Sequence, residues 1–287
     1  MNFKKRGGPA PGGKIKVGKE RLDVLLVKRG YVPSREQARR TIMAGLVRVG
    51  QERQDKPGVR VPTDAPIEVL GPPHPYVSRG GLKLEEALRV FSIDLSGRVV
   101  IDIGASTGGF TDCALHWGAK IVYAVDVGYG QLAWKLRQDP RVVVMERTNF
   151  RHFRPEDLEG EPPEVGTVDV SFISLTHILP PLSRILAPPG EVIALVKPQF
   201  EAGRQQVGKG GVVRDPAVHR KVLLDHLNVA AQAGFRVLGL TPSPIAGGEG
   251  NIEFLSHLML SPESPQPAVS VEDVNRVVER AHQRPFQ

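Results

Sequence analysis

From Arg98 onward the chain shows short apolar runs separated by longer mixed segments, at 99–103, 121–125, 142–145, 167–172, 192–196, 235–240 and 252–260. Runs with so little internal alternation suit strands buried on both faces, with the intervening segments supplying helices that cover those faces. The sixth and seventh runs are joined only by residues 242–251, too short for a crossover helix, so the seventh strand is expected to turn back antiparallel. The expected fold class is α/β, a Rossmann-like seven-stranded sheet with an antiparallel last strand.

A different pattern precedes it. Leu22, Leu25 and Leu26 share a helical face that ends at Lys28, Arg29 and Gly30. Ser34, with Gln37 three residues on, has the form of a capping box, and Ala38, Ile42 and Met43 are expected inward on the helix that follows. Val47 and Val49 alternate with Arg48, and Ile67 and Val69 close a small β element. Residues 20–70 are therefore read as a small α+β domain, and 71–77, with Gly71-Pro72-Pro73-His74-Pro75, as a stiff linker. A short helix over about 81–89 leads into a domain spanning 78–261. Residues 262–287 are read as a Pro/Ser linker and a final helix, capped by Ser270, with Val271, Val274 and Val278 on one face. Residues 1–19, rich in Gly, Pro and Lys and without periodicity, are expected to be a disordered basic tail.

Charge sharpens this division. Residues 1–60 contain 16 Lys/Arg against 5 Asp/Glu, whereas the whole chain has a formal charge of +7, so the remainder is slightly acidic. A basic module beside a nearly neutral one suggests a part that binds a polyanion and a part with other work. No apolar run approaches the roughly 18–20 residues needed to span a bilayer, and the first residues lead into no apolar signal core. A single cysteine, Cys113, excludes an intramolecular disulfide framework; it is expected to be a buried thiol. A cytoplasmic protein is expected. The eight histidines show no ligand spacing, with each other or with Cys113, so no metal is expected.

The first strand runs into Asp102-Ile103-Gly104-Ala105-Ser106-Thr107-Gly108-Gly109-Phe110, a glycine-rich turn that opens a helix. Such a turn allows close backbone approach by a ligand and offers free N–H groups. Asp126, at the end of the second strand, stands where an acid binds ribose hydroxyls. The spacing is not the dinucleotide G-x-G-x-x-G, and an Asp two residues ahead of the first glycine can face a cation. S-adenosylmethionine offers two, an ammonium and a sulfonium. A donor site is therefore expected on Asp102, Gly104, Ser106, Gly108, Gly109, Phe110, Asp126 and Asp169, with Asn149 on the adenine side. Another nucleotide, or a structural turn, is the alternative. Asp169 lies in the fourth run, Lys197 ends the fifth and Glu253 begins the seventh, so the crevice at the strands' carboxyl ends can gather all three. Lys83 precedes the sheet and could fold back over it. The alternative is a set of solvated salt bridges.

With these residues in view, the chain resembles the TlyA family of rRNA methyltransferases, FtsJ-like class I enzymes of which some carry a hemolysin label. The resemblance rests on motifs at 78–84, 102–110, 169–174, 195–200, 210–219 and 251–255, and residues 20–70 resemble the S-four RNA-binding domain that the family carries. It departs in the first nineteen residues and at Val49-Gly50, where the family often has Asn before Gly. The resemblance implies a class I S-adenosylmethionine methyltransferase fold, a Lys83–Asp169–Lys197–Glu253 tetrad, and cytidine 2′-O-methylation in ribosomal RNA. Lys197 is the candidate base. Burial and a second cation, for which Lys83 is the candidate, would favour its neutral form, with Asp169 and Glu253 orienting the amines. Candidate RNA contacts are Arg21, Lys28, Arg29, Arg35, Arg39, Arg40 and Arg48 in the small domain, and Arg79, Lys209 and Arg214 in the large one. The loop at 208–215 is a candidate phosphate clamp; Tyr129 and Trp134 are expected in the core. The expected partners are ribosomal RNA or ribosomal subunits, with no membrane. Rival readings are a methyltransferase for another hydroxyl or a protein, a ribosome-associated RNA-binding protein, and a membrane-active hemolysin.

Overall fold

The structure, a computed structural model, describes residues 18–32, 34–70, 74–261, 263 and 266–283. The expectation of a disordered tail falls, but for Gly18 and Lys19, outside the described residues. The chain divides into two compact units, Met1–Pro75 and Tyr76–Gln287.

In the first unit β1 (Lys19–Arg21) leads into α1 (Leu22–Lys28) and α2 (Arg35–Met43), followed by β2 (Val47–Val49), β3 (Glu52–Gln54), β4 (Arg60–Pro62) and β5 (Ile67–Val69). A three-stranded antiparallel sheet has the order β3-β2-β5, and β1 pairs with β4. Ser34 caps α2 by accepting from the Gln37 amide at 3.2 Å. Leu22, Leu26, Ala38, Ile42 and Val47 form the centre of a small core. Met43, expected inward, is instead exposed on the last turn of α2. β1, β3 and β4 escaped the sequence reading because none carries the pair of apolar residues two apart that marks β2 (Val47, Val49) and β5 (Ile67, Val69).

The second unit runs α3 (Gly80–Phe91), β6 (Val99–Ile103), α4 (Gly109–His116), β7 (Ile121–Val125), α5 (Trp134–Arg137), β8 (Val142–Met145), β9 (Val165–Val168), α6 (Leu179–Ile185), β10 (Glu191–Val196), α7 (Pro198–Glu201), α8 (Pro216–Gln232), β11 (Phe235–Pro242), β12 (Phe254–Leu260) and α9 (Val271–Gln283). Seven strands form one sheet in the order β11-β12-β10-β9-β6-β7-β8. All pairs are parallel except those of β12, which runs against both β10 and β11. One face packs under α6, α8 and α9, through Leu182, Leu223 and Val278; the other packs under α3, α4 and α5, through Leu88, Cys113 and Leu136. Two apolar layers explain why the strands read as continuous runs rather than alternations. Cys113 is buried, and desolvation pushes its thiol to about 12.

Four details differ from the sequence expectation. The fourth strand stops at Val168 instead of running to Phe172, since the chain bends over residues 171–173 and Phe172 takes a left-handed φ of 64° that no strand can continue. The seventh strand starts at Phe254, so Glu253 stands just before it. On α9 the buried stripe is Val274, Val277, Val278 and Ala281, while Val271 is exposed. Tyr76 and Val77, read as linker, are tied into the second unit: the Tyr76 ring is buried, and the Val77 amide donates to Asp112 Oδ2 at 2.7 Å.

Candidate functional site

The turn between β6 and α4 is shaped by three glycines with separate duties. Gly104 has φ +87°, and a Cβ there would lie 2.5 Å from the carbonyl oxygen of Asp169. Gly108, at φ +99°, passes so close to Leu136 that a Cβ would come within 2.2 Å of its Cδ1. A Cβ on Gly109 would lie 2.2 Å from Ser78 Oγ, in the turn that opens α3. The turn thus grips β9, α5 and α3 together, and only part of it faces open space.

Asp102, expected to face a donor's cation, lines neither of the two largest cavities beside the turn. It is fully buried beneath the turn, where it accepts from Thr111 Oγ1 at 2.6 Å and Thr167 Oγ1 at 3.0 Å. Burial pushes its carboxyl up to about 6, against the lowering effect of those two hydroxyls. Asp126 is at the surface of the crevice and fastens its shape by accepting from the Ser106 amide at 2.8 Å and the Gly128 amide at 2.7 Å.

Two cavities meet over the turn. The first, of about 440 Å³, is apolar at Ile103, Val125 and Phe150 and polar at Asp126 and Asn149. The second, of about 540 Å³, is lined by Lys83, Asp169, Lys197 and Glu253 with Phe110 and Arg79. They share Gly104, Ser106, Asp169 and Ser171. The four tetrad candidates, from α3, the ends of β9 and β10 and the residue before β12, therefore come to one cavity.

They come as two pairs. Lys83 Nζ lies 2.6 Å from Glu253 Oε2, and Lys197 Nζ lies 2.5 Å from Asp169 Oδ1. Lys83, Lys197 and Glu253 are buried. Each amine has its own carboxylate, so the charge of Lys83, expected to act on Lys197, is balanced by Glu253. Lys197 Nζ also donates to Ser171 Oγ at 3.2 Å. Gln199 Nε2 donates to the other oxygen of Glu253 at 3.4 Å. Gly247 lies over Glu253 so tightly that a Cβ would sit 2.1 Å from Oε1. Asn251 fastens this region to the 208–213 loop: its Oδ1 accepts from the Val213 amide at 3.0 Å, and its Nδ2 donates to Gly211 O at 3.0 Å and Gly248 O at 3.1 Å.

A third cavity, of about 350 Å³, adjoins through Ser171, Lys197 and Glu253 and is edged by Phe172, Gln199 and Phe200. Phe172 is 91% exposed, its ring 5.1 Å from that of Phe200. Ser171, Phe172, Gln199 and Asn251 were not among the expected site residues. Their proximity to Asp169, Lys197 and Glu253 in sequence was the available signal. Lys209 and Arg214 are exposed and line none of these three cavities. Tyr129 and Trp134, expected in the core, are 68% and 73% exposed, and the Arg147 guanidinium stacks 4.1 Å from the centre of the Tyr129 ring.

In the first unit most of the expected RNA-contacting cations already hold partners. Arg21 and Arg35 both bind the buried Asp23, at 2.9 and 3.0 Å. Lys28 pairs with Glu20, Arg40 with Glu36, and Arg48 reaches to 4.0 Å from Glu68. Arg29 donates to the carbonyls of Ala65 and Thr63. Arg39 is exposed and has no ion-pair partner among the described residues. Among the described residues no three His, Cys, Asp or Glu side chains are placed to hold a metal ion, and no helix is long and apolar enough to cross a membrane.

Comparison with known proteins gives a consistent picture. Residues 76–259 match the family model for FtsJ-like methyltransferases, and 20–67 match that for the S4 domain. The chain is 58% identical to the Bacillus subtilis protein YqxC, covering 92% of this chain and 94% of that one. It is 44% identical to the Mycobacterium tuberculosis 16S/23S rRNA (cytidine-2'-O)-methyltransferase TlyA, over 90% of this chain and 97% of that one. A solved structure from Streptococcus thermophilus, which carries a hemolysin label, superposes with a TM-score of 0.75 at 53% identity, over 93% of this chain and 97% of that one.

Proposed function

The chain belongs to the FtsJ-like methyltransferases and, within them, to the TlyA family, and from that premise we propose that it methylates the ribose 2′-hydroxyl of a cytidine in ribosomal RNA, with S-adenosylmethionine as donor. The observation that carries this reading is the meeting of two amine–carboxylate pairs, Lys83–Glu253 and Lys197–Asp169, beside a glycine turn that a nucleoside can approach.

The residues fit such a donor. Gly104 and Ser106 line both cavities, Asp126 offers its remaining lone pairs to ribose hydroxyls, and the apolar wall at Ile103, Val125 and Phe150 suits an adenine. When bound, the donor supplies a methyl group already activated by a sulfonium. What the protein must add is alignment of the acceptor oxygen and a place for its proton.

Lys197 supplies that place. Two of the directions around Nζ are taken by Asp169 and Ser171. To act as base the amine must first give up a proton; it would then keep its two N–H groups on these partners and turn its lone pair to the acceptor hydroxyl. The proton passes from the 2′-oxygen to Nζ as the oxygen–carbon bond forms, and Asp169 stabilises the resulting ammonium. Lys83, held by Glu253, presents its remaining N–H groups to the acceptor oxygen and fixes its position. Exposed Phe172 and neighbouring Phe200 offer ring faces for the acceptor base once it leaves its stack. The S4 domain docks the RNA, and the protein works in the cytoplasm, where ribosomal subunits are its partners.

The decisive measurement is single-turnover methyl transfer into ribosomal RNA with donor saturating. Lys197→Ala and Lys83→Ala each lower the rate by roughly 10²–10⁴-fold while donor affinity holds. Near-normal transfer by either variant overturns these roles.

A further inference from the structure

Glu201 ends the short α7, which begins directly after Lys197, and has no part in the proton transfer above. It lines none of the three cavities around the tetrad. Both of its oxygens are engaged: Oε2 accepts from Ser174 Oγ at 2.6 Å, and Oε1 accepts from the Leu175 amide at 2.9 Å. Burial raises this carboxyl, and the two donors favour its ionised form against that rise.

The need for a carboxylate here can be read from Ser174. Its hydroxyl oxygen already accepts from the Thr176 amide at 3.2 Å and from Thr176 Oγ1 at 3.0 Å. With both lone pairs taken it can only donate to its neighbour, and the Leu175 amide can only donate too. The side chain that meets them must therefore accept twice. A carboxylate does so, whereas a carboxamide would set its N–H groups against one of the two donors.

These bonds join two segments that edge the acceptor cavity. Ser174 and Leu175 directly follow the bend over residues 171–173, and Glu201 directly follows Phe200. The Phe200 ring lies 5.1 Å from that of Phe172. Before the bend, the Asp169 amide donates to Ile103 O at 3.0 Å, and Val170 and Ile173 pack against the core. Between these anchors Phe172 is 91% exposed at a φ of 64°, a conformation that a bulky residue keeps only where its surroundings impose it. We infer that Glu201 is a positioning residue for the acceptor base: it ties the Phe172 bend to α7 and so holds the two rings at the spacing that the base meets. The inference rests on the ribose-methylation reading above and adds the group that sets the seat of the base.

The test uses the full-length protein, with steady-state methyl transfer into ribosomal RNA and calorimetric titration of S-adenosylmethionine. Glu201→Gln is expected to lower kcat/KM for RNA roughly 10–100-fold while donor affinity holds. In a Phe172→Ala background the same substitution should change kcat/KM by less than about twofold, because the ring that it positions is already gone. A merely structural role would act in both backgrounds alike. Ser174→Ala removes one of the two donors, and if Glu201→Gln does not fold, its combination with Phe172→Ala reads the same coupling. Equal losses in the two backgrounds, a wild-type rate in Glu201→Gln, or a parallel loss of donor affinity overturns the inference and leaves ribose methylation standing. If the wild-type protein places no 2′-O-methyl group on RNA, the underlying reading fails, and this inference with it.

Discussion

Replacing Asp102 with Asn separates two roles that the sequence leaves together, a ligand for the donor's cationic end and a buried brace for the glycine turn. The structure supports the brace, since Thr111 and Thr167 occupy the two carboxylate oxygens and neither cavity over the turn is lined by Asp102. Its carboxyl is raised from 3.8 to about 6 by burial. About two units at roughly 1.4 kcal/mol each is about 3 kcal/mol of stability that the ionised form costs at pH 8. Asn removes that cost but obliges one threonine hydroxyl to accept instead of donate, a loss of about 1 kcal/mol. The net expectation is that Asp102→Asn is more stable than wild type by about 1–2 kcal/mol at pH 8. Below pH 6 the folded wild-type carboxyl takes up a proton while the unfolded one stays ionised until about 3.8. Wild-type stability therefore gains as pH falls through that window, and the variant's advantage disappears. Denaturant unfolding at pH 8 and pH 5, with calorimetric titration of S-adenosylmethionine, reads both quantities. Stability like the wild type at both pH values, with donor affinity lost by about tenfold or more, would show that the carboxylate meets the donor and that the brace argument is wrong.

Gly104→Ala should lose donor binding and about 1–2 kcal/mol or more of stability, since φ +87° penalises any Cβ and this one would strike the Asp169 carbonyl; thermal melts and titration check both. Glu191, hydrogen-bonded by His257 and Arg98, is held at about 2. Glu191→Gln should therefore cost about 2–3 kcal/mol at pH 7, a difference that shrinks as pH falls from 4.5 towards 2 in paired denaturation curves. In the first unit, Arg39→Glu should weaken RNA binding and reduce its salt slope by about 1 without changing stability. Arg35→Glu should do the same and also destabilise, because it sets a second acid against buried Asp23; filter binding across a salt series distinguishes them.

The sheet and its reversed strand were legible because burial on both faces leaves uninterrupted apolar runs, and because residues 242–251 are too few for a crossover. Asp169, Lys197 and Glu253 were legible as a group because they border one crevice at the strand ends, whereas Lys83, on α3, entered through the family resemblance. Less was readable where the outcome depends on partners distant in sequence. Val170-Ser171-Phe172 continues the pattern of β9, and only the bend over residues 171–173 takes the chain out of the sheet and exposes Phe172. Asp102 stands in the right place to meet a cation, but Thr111 and Thr167 claim it. Arginines spread over two helices look alike in sequence; Asp23 and Glu36 decide which are already engaged. Tyr129 and Trp134 have the composition of core residues and lie outside it because Leu132 and Leu136 are the side chains of that segment that enter the core.

The reversal of β12 has a consequence for how the acceptor side can change. Because Val196 of β10 faces Phe254 of β12, Glu253 is brought to the cavity by an incoming loop, whereas Asp169 and Lys197 are fixed at outgoing strand ends. Side chains can change at exposed Gly248 and Glu249 while the parallel frame that fixes Asp169 and Lys197 stays as it is, whereas Gly247 and Asn251 are held by Glu253 and by the 208–213 loop.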